Sequence, residues 1–236
     1  MLLKAKGQLF GKHLHASDGR IGSVRDVYFD DQRWVVRYLE VDTGDGIPGR
    51  KVLISPASIQ RAGPDDEDVT VALSCEQVRK SPGANEDMPV SRQFEEAHAR
   101  YYGYPFYWDG PYLWGSSPHP VSGTPPVTAP PGGPVAGERA KELKEAEEQA
   151  RSSHLHSSDE VIGYRVVATD GTVGHLKDFV IDDADWAITD VIIDPRDWLP
   201  GQHVQVPVGA VIEVDWLTRE VRLQTARAEV QEAPRA

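Results

Sequence analysis

The sequence predicts a mainly β protein: two small β-barrels in tandem, made by an internal duplication, with short helices and a disordered Pro/Gly linker between them. Three observations carry this. Residue i matches residue i + 152 without a gap from about 9 to 73. Inside each copy, short runs of alternating apolar residues are separated by Asp-Gly, Asp-Asp and Pro-Gly turn signals. Between the copies, residues 115–137 hold 7 of the 18 prolines, a linker composition. Self-similarity at one fixed spacing marks a duplicated unit, and two copies with a long spacer do not make a solenoid.

The identical pairs include Gly11 with Gly163, Asp18 with Asp170, Gly19 with Gly171, Gly22 with Gly174, Asp26 with Asp178, Asp30 with Asp182, Asp31 with Asp183 and Trp34 with Trp186. These are read as turn and motif residues. A first strand (11–16; 163–168) runs into Asp-Gly, read as a type I′ hairpin turn, which needs positive φ at both central positions. A second strand follows (20–29; 172–181), with partial apolar alternation at Val24, Val27 and Phe29 in one copy and at Leu176, Phe179 and Ile181 in the other. The Asp-Asp pair turns the chain into a third strand (34–41; 186–193). Pro48-Gly49 and Pro200-Gly201 lead to a fourth (51–54; 203–206). SPASI and PVGAV read as one helical turn each, before a last strand (69–73; 221–224). Five or six short antiparallel strands favour a closed or half-closed barrel, which removes exposed edges.

The pattern G-x(6)-D-G-x-x-G-x-V/L-x-D, then D-D and W, then RYLEVDTGDGIPGRKVLISP, resembles the PRC-barrel family. That family takes its name from the cytoplasmic domain of the photosynthetic reaction-centre H subunit and includes the C-terminal domain of a ribosome-maturation factor. Two such units with RYYGYPFYWDGPYLWG between them resemble standalone tandem PRC-barrel proteins of bacteria. The resemblance covers roughly 9–114 and 158–225. It implies the fold; function has to be argued from sites.

Ser74–Lys80 reads as a short helix capped by Ser74, with Gln77 completing a capping box. A second helix starts near Ser91 and runs toward Tyr102. An aromatic cluster follows: Tyr101, Tyr102, Tyr104, Phe106, Tyr107, Trp108, Tyr112 and Trp114. Residues 138–153 read as a polar, solvent-exposed helix, and the tail after 226 as loose. The expected division is a first barrel with its short helix (1–80), a helix and aromatic insertion (81–114), a linker with the polar helix (115–157), a second barrel (158–226) and a tail (227–236). The barrels are expected to pack as a pseudo-dimer, burying apolar faces.

The net charge of −12 disfavours nonspecific nucleic-acid binding, which draws its affinity from cations on phosphates. The charge is uneven: residues 1–73 carry −1 and residues 153–225 carry −8. There is one cysteine, Cys75, so no internal disulfide forms, and a cytoplasmic location is expected. No apolar run of 18 residues and no signal-like start occur, so neither a transmembrane segment nor a signal peptide is expected.

Chemical constellations are sparse. The repeated aspartates suit turns better than a divalent-cation site. His13/His15 and His154/His156 have the His-x-His spacing of a metal-binding strand, yet lack a companion ligand motif. Cys75 opens a helix, but no histidine motif accompanies it. No phosphate-binding glycine loop or hydrolase motif is present. No catalytic residue, metal or cofactor is therefore assigned, and the protein is read as a non-enzyme. The aromatic cluster is the positive signal, read either as a cover over a barrel or as a contact surface for a protein partner or a second copy. The contact residues assigned are Tyr101, Tyr102, Tyr104, Tyr107, Trp108 and Trp114, because Tyr and Trp dominate interface hot spots. The leading functional reading is a protein-interaction or assembly module. The resemblance implies two alternatives: a peripheral component beside a membrane electron-transfer complex, like the H subunit, and a ribosome-maturation adaptor.

Overall fold

The computed structural model describes residues 1–44, 50–84, 90, 92–122, 155–195 and 201–236. The linker and the polar helix expected between 123 and 154 lie outside the described residues. The chain folds as two related rolled sheets sharing one continuous apolar core. The first sheet comprises β2 (His13–Ala16), β3 (Gly19–Asp30), β4 (Val35–Asp42), β5 (Lys51–Ile54), β6 (Ile59–Arg61), β7 (Asp68–Val71) and β8 (Gly83–Ala84), in the order β6-β7-β2-β3-β4-β5-β8. The second comprises β10 (Arg165–Ala168), β11 (Gly171–Asp182), β12 (Ile188–Asp194), β13 (Val204–Pro207), β14 (Val211–Asp215) and β15 (Glu220–Leu223), in the order β13-β12-β11-β10-β15-β14. Val24, Val27, Phe29, Leu176, Phe179 and Ile181 are all buried, as the alternation requires.

Several local features differ from the sequence reading. Each sheet contains one parallel pair, β2 with β7 and β10 with β15, so the sheets are mixed. The Asp-Gly turns are not type I′. Ala16 pairs with Gly19, so the loop residues are Ser17 and Asp18, and Asp18 keeps negative φ. Asp18 serves a different end: its carboxylate accepts the Cys75 N–H at 2.7 Å, at the start of α1 (Cys75–Lys80). Asp170 does the same for the Arg227 N–H at 2.7 Å. Arg227 begins a helix, α4 (Arg227–Glu232), where a loose tail was expected. Val230 on α4 is 1% exposed, and residues 234–236 hydrogen-bond to His203 and Gln205. Each unit therefore runs about ten residues beyond its last expected strand, to 84 and 236. The identical pairs Val78/Val230, Pro82/Pro234 and Ala84/Ala236 carried that signal at the same spacing.

Gly22 and Gly174, motif residues of the repeat, fall within the expected long strands. Gly22 lies inside β3 and Gly174 inside β11, and both are buried. Gly174 pairs with Val166, as Gly22 pairs with Leu14. What requires glycine at these positions is close approach of backbone, not a turn. A Cβ on Gly22 would lie 2.0 Å from the Asp42 carbonyl oxygen, and one on Gly174 would lie 2.2 Å from that of Asp194. Gly11 and Gly163 differ in cause: they have positive φ (84° and 100°), which a side chain rarely adopts.

The units are interlocked. The segment leading into each one pairs with the long strand of the other. β1 (Leu2–Lys4) lies antiparallel on β11, Leu3 opposite Ile181. β9 (Leu155–Ser157) lies antiparallel on β3, Phe29 opposite His156. Residues 155–157 are thus a strand of the first sheet, not linker. Each strand is followed by one turn of helix, a wide π-type turn at Ala5–Leu9 and α3 at Ser158–Val161. At the centre, Trp34 and Trp186 both adopt left-handed backbone (φ 51° and 63°), a costly conformation for a bulky residue. Their carbonyls face the opposite unit: Val36 N–H donates to Trp186 at 2.8 Å and Ile188 N–H to Trp34 at 2.6 Å. The Phe29 and Phe179 rings meet with centres 5.0 Å apart.

Candidate functional site

Asp26 and Asp178 are motif residues of the repeat. Both sit inside the long strands, 7% and 6% exposed, and each reaches into the other unit. Asp26 accepts hydrogen bonds from the Ser157 hydroxyl, the Ser158 hydroxyl (2.9 Å) and the Asp159 N–H (3.0 Å). Asp178 accepts the Lys6 and Gly7 N–H groups, both at 2.8 Å. The backbone donors are free N–H groups of a helical turn, for which a carboxylate is the natural acceptor. Burial pushes the Asp26 carboxyl above its ordinary value despite these donors. Asp30 and Asp182 do act as turn residues, accepting N–H groups two or three positions on.

The aromatic insertion covers the first unit. Helix α2 (Arg92–Tyr102) lies against β4 and β5. His98, 1% exposed, hydrogen-bonds the Leu53 carbonyl at 2.9 Å and meets the Tyr38 ring edge-on. Beneath the insertion is Arg37, on the buried strand β4. Its side chain is wholly buried. It donates to Asp30 (3.1 Å) and to the Leu113 carbonyl (2.6 Å), and its guanidinium lies 3.8 Å from the centre of the Tyr107 ring. Tyr107 donates to Glu95, whose carboxyl burial pushes up to about 7. Burial holds His98 down at about 4.

This placement gives each of the six residues assigned to a contact surface a neighbour within the chain. Tyr102 is buried and stacked on Tyr104, and Tyr101 donates to the Gln77 carbonyl at 2.8 Å. Trp114, 5% exposed, donates to the Asp185 carbonyl of the second unit at 2.7 Å. Tyr107 is held between Arg37 and Glu95. Trp108 stacks on Phe106 with ring centres 4.8 Å apart and has Arg92 4.1 Å from its ring centre; like Tyr101, Tyr104 and Tyr107 it is half-buried. Their apolar area is spent on packing the insertion. Arg37, Glu95 and His98 were missed; an arginine inside VVRYLEVD was the available signal.

An open groove of about 260 Å3 lies on the first unit, where β3 and β5 meet α1. Arg20, Arg50 and Arg79 line it, with Ile21, Val78 and Cys75. Arg50 also donates to the Arg79 and Ser81 carbonyls and so anchors the end of α1. Burial, and then the Asp18 carboxylate, push the Cys75 thiol up, the opposite of activation as a nucleophile. The positions equivalent to the three arginines in the second unit are Thr172, Gln202 and Gln231. The cationic lining therefore belongs to one copy. His15 pairs with Asp68 at 3.2 Å, and His156 stacks on Trp216 with ring centres 3.8 Å apart. His13 is exposed, and His154 lies outside the described residues.

Residues 154–230 match the PRC-barrel domain family, which spans the second unit from its leading strand into its last helix. The first unit repeats that strand order and its Asp18-type helix contact. No curated protein matches the chain. No helix among the described residues is long and apolar enough to cross a membrane.

Proposed function

We propose that this pair of units, the second of them a PRC-barrel domain, is a non-enzymatic interaction module whose first unit docks an acidic segment of a protein partner in the arginine-lined groove. The observation that supports the reading is the one-sided lining: three arginines over an apolar floor on a unit of near-neutral charge, absent from its duplicate. Arginine suits this role because its planar fork holds carboxylates bidentately, and apolar contact beside it adds affinity. The acidic second unit repels the same partner, so binding is directed to one copy.

The test is a pull-down from an extract of the native cells with the wild-type chain and the Arg20→Glu/Arg79→Glu double variant. Both side chains are exposed, so the fold tolerates the change. Wild type is expected to retain a protein that the double variant loses and that elutes as salt is raised. Equal retention by the two, or none by either, overturns the reading.

A further inference from the structure

The two interlocking contacts are the same contact made twice. Each unit presents a flank of its long strand that its own short hairpin strand leaves open, since β2 pairs with β3 only as far as Ser23 and β10 with β11 only as far as His175. An open strand flank is a template for another strand. Each unit also supplies what the other lacks: a three-residue strand and a helical turn whose N–H groups end on the buried aspartate. The junction is packed like a domain interior. Leu3, Ala5, Leu9 and Val161, from the two leading segments, are all 0% exposed within one apolar cluster that spans both units. Such an interface has the character of an obligate dimer.

We infer that the chain is a fused dimer of one self-recognising barrel, and that the recognition surface, the open long-strand flank with its aspartate, takes the leading strand and turn of a second copy of the unit whether or not the two are covalently joined. Recognition is by strand addition, with Asp26 or Asp178 setting register by capping the turn that follows. This surface is separate from the arginine groove, so neither inference stands or falls with the other.

A protease site inserted between residues 135 and 136 of the full chain allows the halves to be separated covalently after folding. The cleaved protein is expected to run as a one-to-one complex at the full-chain mass in size exclusion with light scattering. Mixed with an affinity-tagged cleaved copy, taken through the unfolding midpoint in urea and diluted, it is expected to give complexes with halves from both sources. The Asp26→Ala/Asp178→Ala variant, cleaved in the same way, is expected to dissociate at concentrations at least tenfold higher. A Leu2→Cys/Asp182→Cys pair in a Cys75→Ser background reports the pairing without depending on stability, since residues 2 and 182 are register partners. It is expected to join the cleaved halves in a non-reducing gel. Separation of the unmutated halves, or failure of that disulfide to link them, overturns the proposal. So does an aspartate variant, still folded by circular dichroism, that dissociates at the wild-type concentration.

Discussion

The two units share a strand order, a helix contact and a clasp, yet they treat charge in opposite ways. The first buries it. Arg37, Asp30, Glu95 and His98 are all within 7% exposure, held under an aromatic cover. Apart from the clasp aspartate Asp178, the second keeps it at the surface, where Arg222 serves Glu213, Asp215 and Glu220 with 43% of its side chain exposed. The position equivalent to Arg37 is Thr189, which is half-buried. The difference teaches that duplication preserved what joins the units and released what faces away from the joint. Buried charge is tolerated where partners offset its desolvation, and the insertion between the copies adds the Leu113 carbonyl and the Tyr107 ring to the partners of Arg37.

The largest expected effect comes from breaking that contrast at its centre. Arg37→Leu leaves Asp30 buried without its cation and is expected to cost about 3–5 kcal/mol in urea unfolding. Thr189→Leu is expected to stay within about 1 kcal/mol. If the two cost the same, the units do not differ in the way described.

Next comes the feature they share. Asp26→Ala and Asp178→Ala each strand several donors of the opposite unit. Each is expected to cost about 2–3 kcal/mol, and Asp26→Ala more, because it accepts the larger set of donors. A cost at only one of the two sites would contradict the symmetry of the clasp.

The pH response sharpens the comparison further. Glu95 in the folded protein is raised to about 7 from its ordinary 4.5, so its contribution is full below 4.5 and is lost as pH rises through 7. His98 is lowered to about 4 from 6.5, so its contribution is full above 6.5 and is lost as pH falls through 4. The hold of α2 on the first unit therefore weakens on both sides. Glu95→Gln is expected to remove the alkaline loss and leave the acid one, read as thermal midpoints between pH 4 and 8. A variant whose midpoint falls between pH 5 and 8 as steeply as wild type would show that Glu95 is not the titrating group.

The smallest effect lies on the second unit. Arg222→Ala removes exposed ion pairs and is expected to cost less than about 1 kcal/mol, with the difference shrinking in 0.5 M salt. A larger, salt-insensitive cost would mean that the second unit also depends on its charges for stability.

Much of this was legible residue by residue. The 152-residue spacing gave the two units, alternation gave the long strands, and Ser74 with Gln77 gave the capping box that forms at α1. The leading strands were not legible, because three-residue segments such as Leu2–Lys4 have no period to read. The helix α4 was legible in part, through Val230 and Pro234 at the repeat spacing. Gly174 was legible as a fixed strand position, but the reason for glycine there was not, because the carbonyl that excludes its side chain, that of Asp194, comes from the neighbouring strand. For the candidate site, the sequence placed the aromatic rings in one segment but not the side they face.

What the sequence determined by itself was therefore what is set by neighbours in the chain: periodicity, the places where the chain turns, the cap at Ser74 and the duplication. What only the tertiary structure decided was which partners meet across long separations. Asp26 finds Ser158, and Asp178 finds Lys6, across more than 130 residues. The aspartate of a turn and the aspartate of a clasp are the same residue in the same local pattern. They are distinguished by what the fold brings to the carboxylate, and a buried carboxylate is stable only with donors that local sequence does not name.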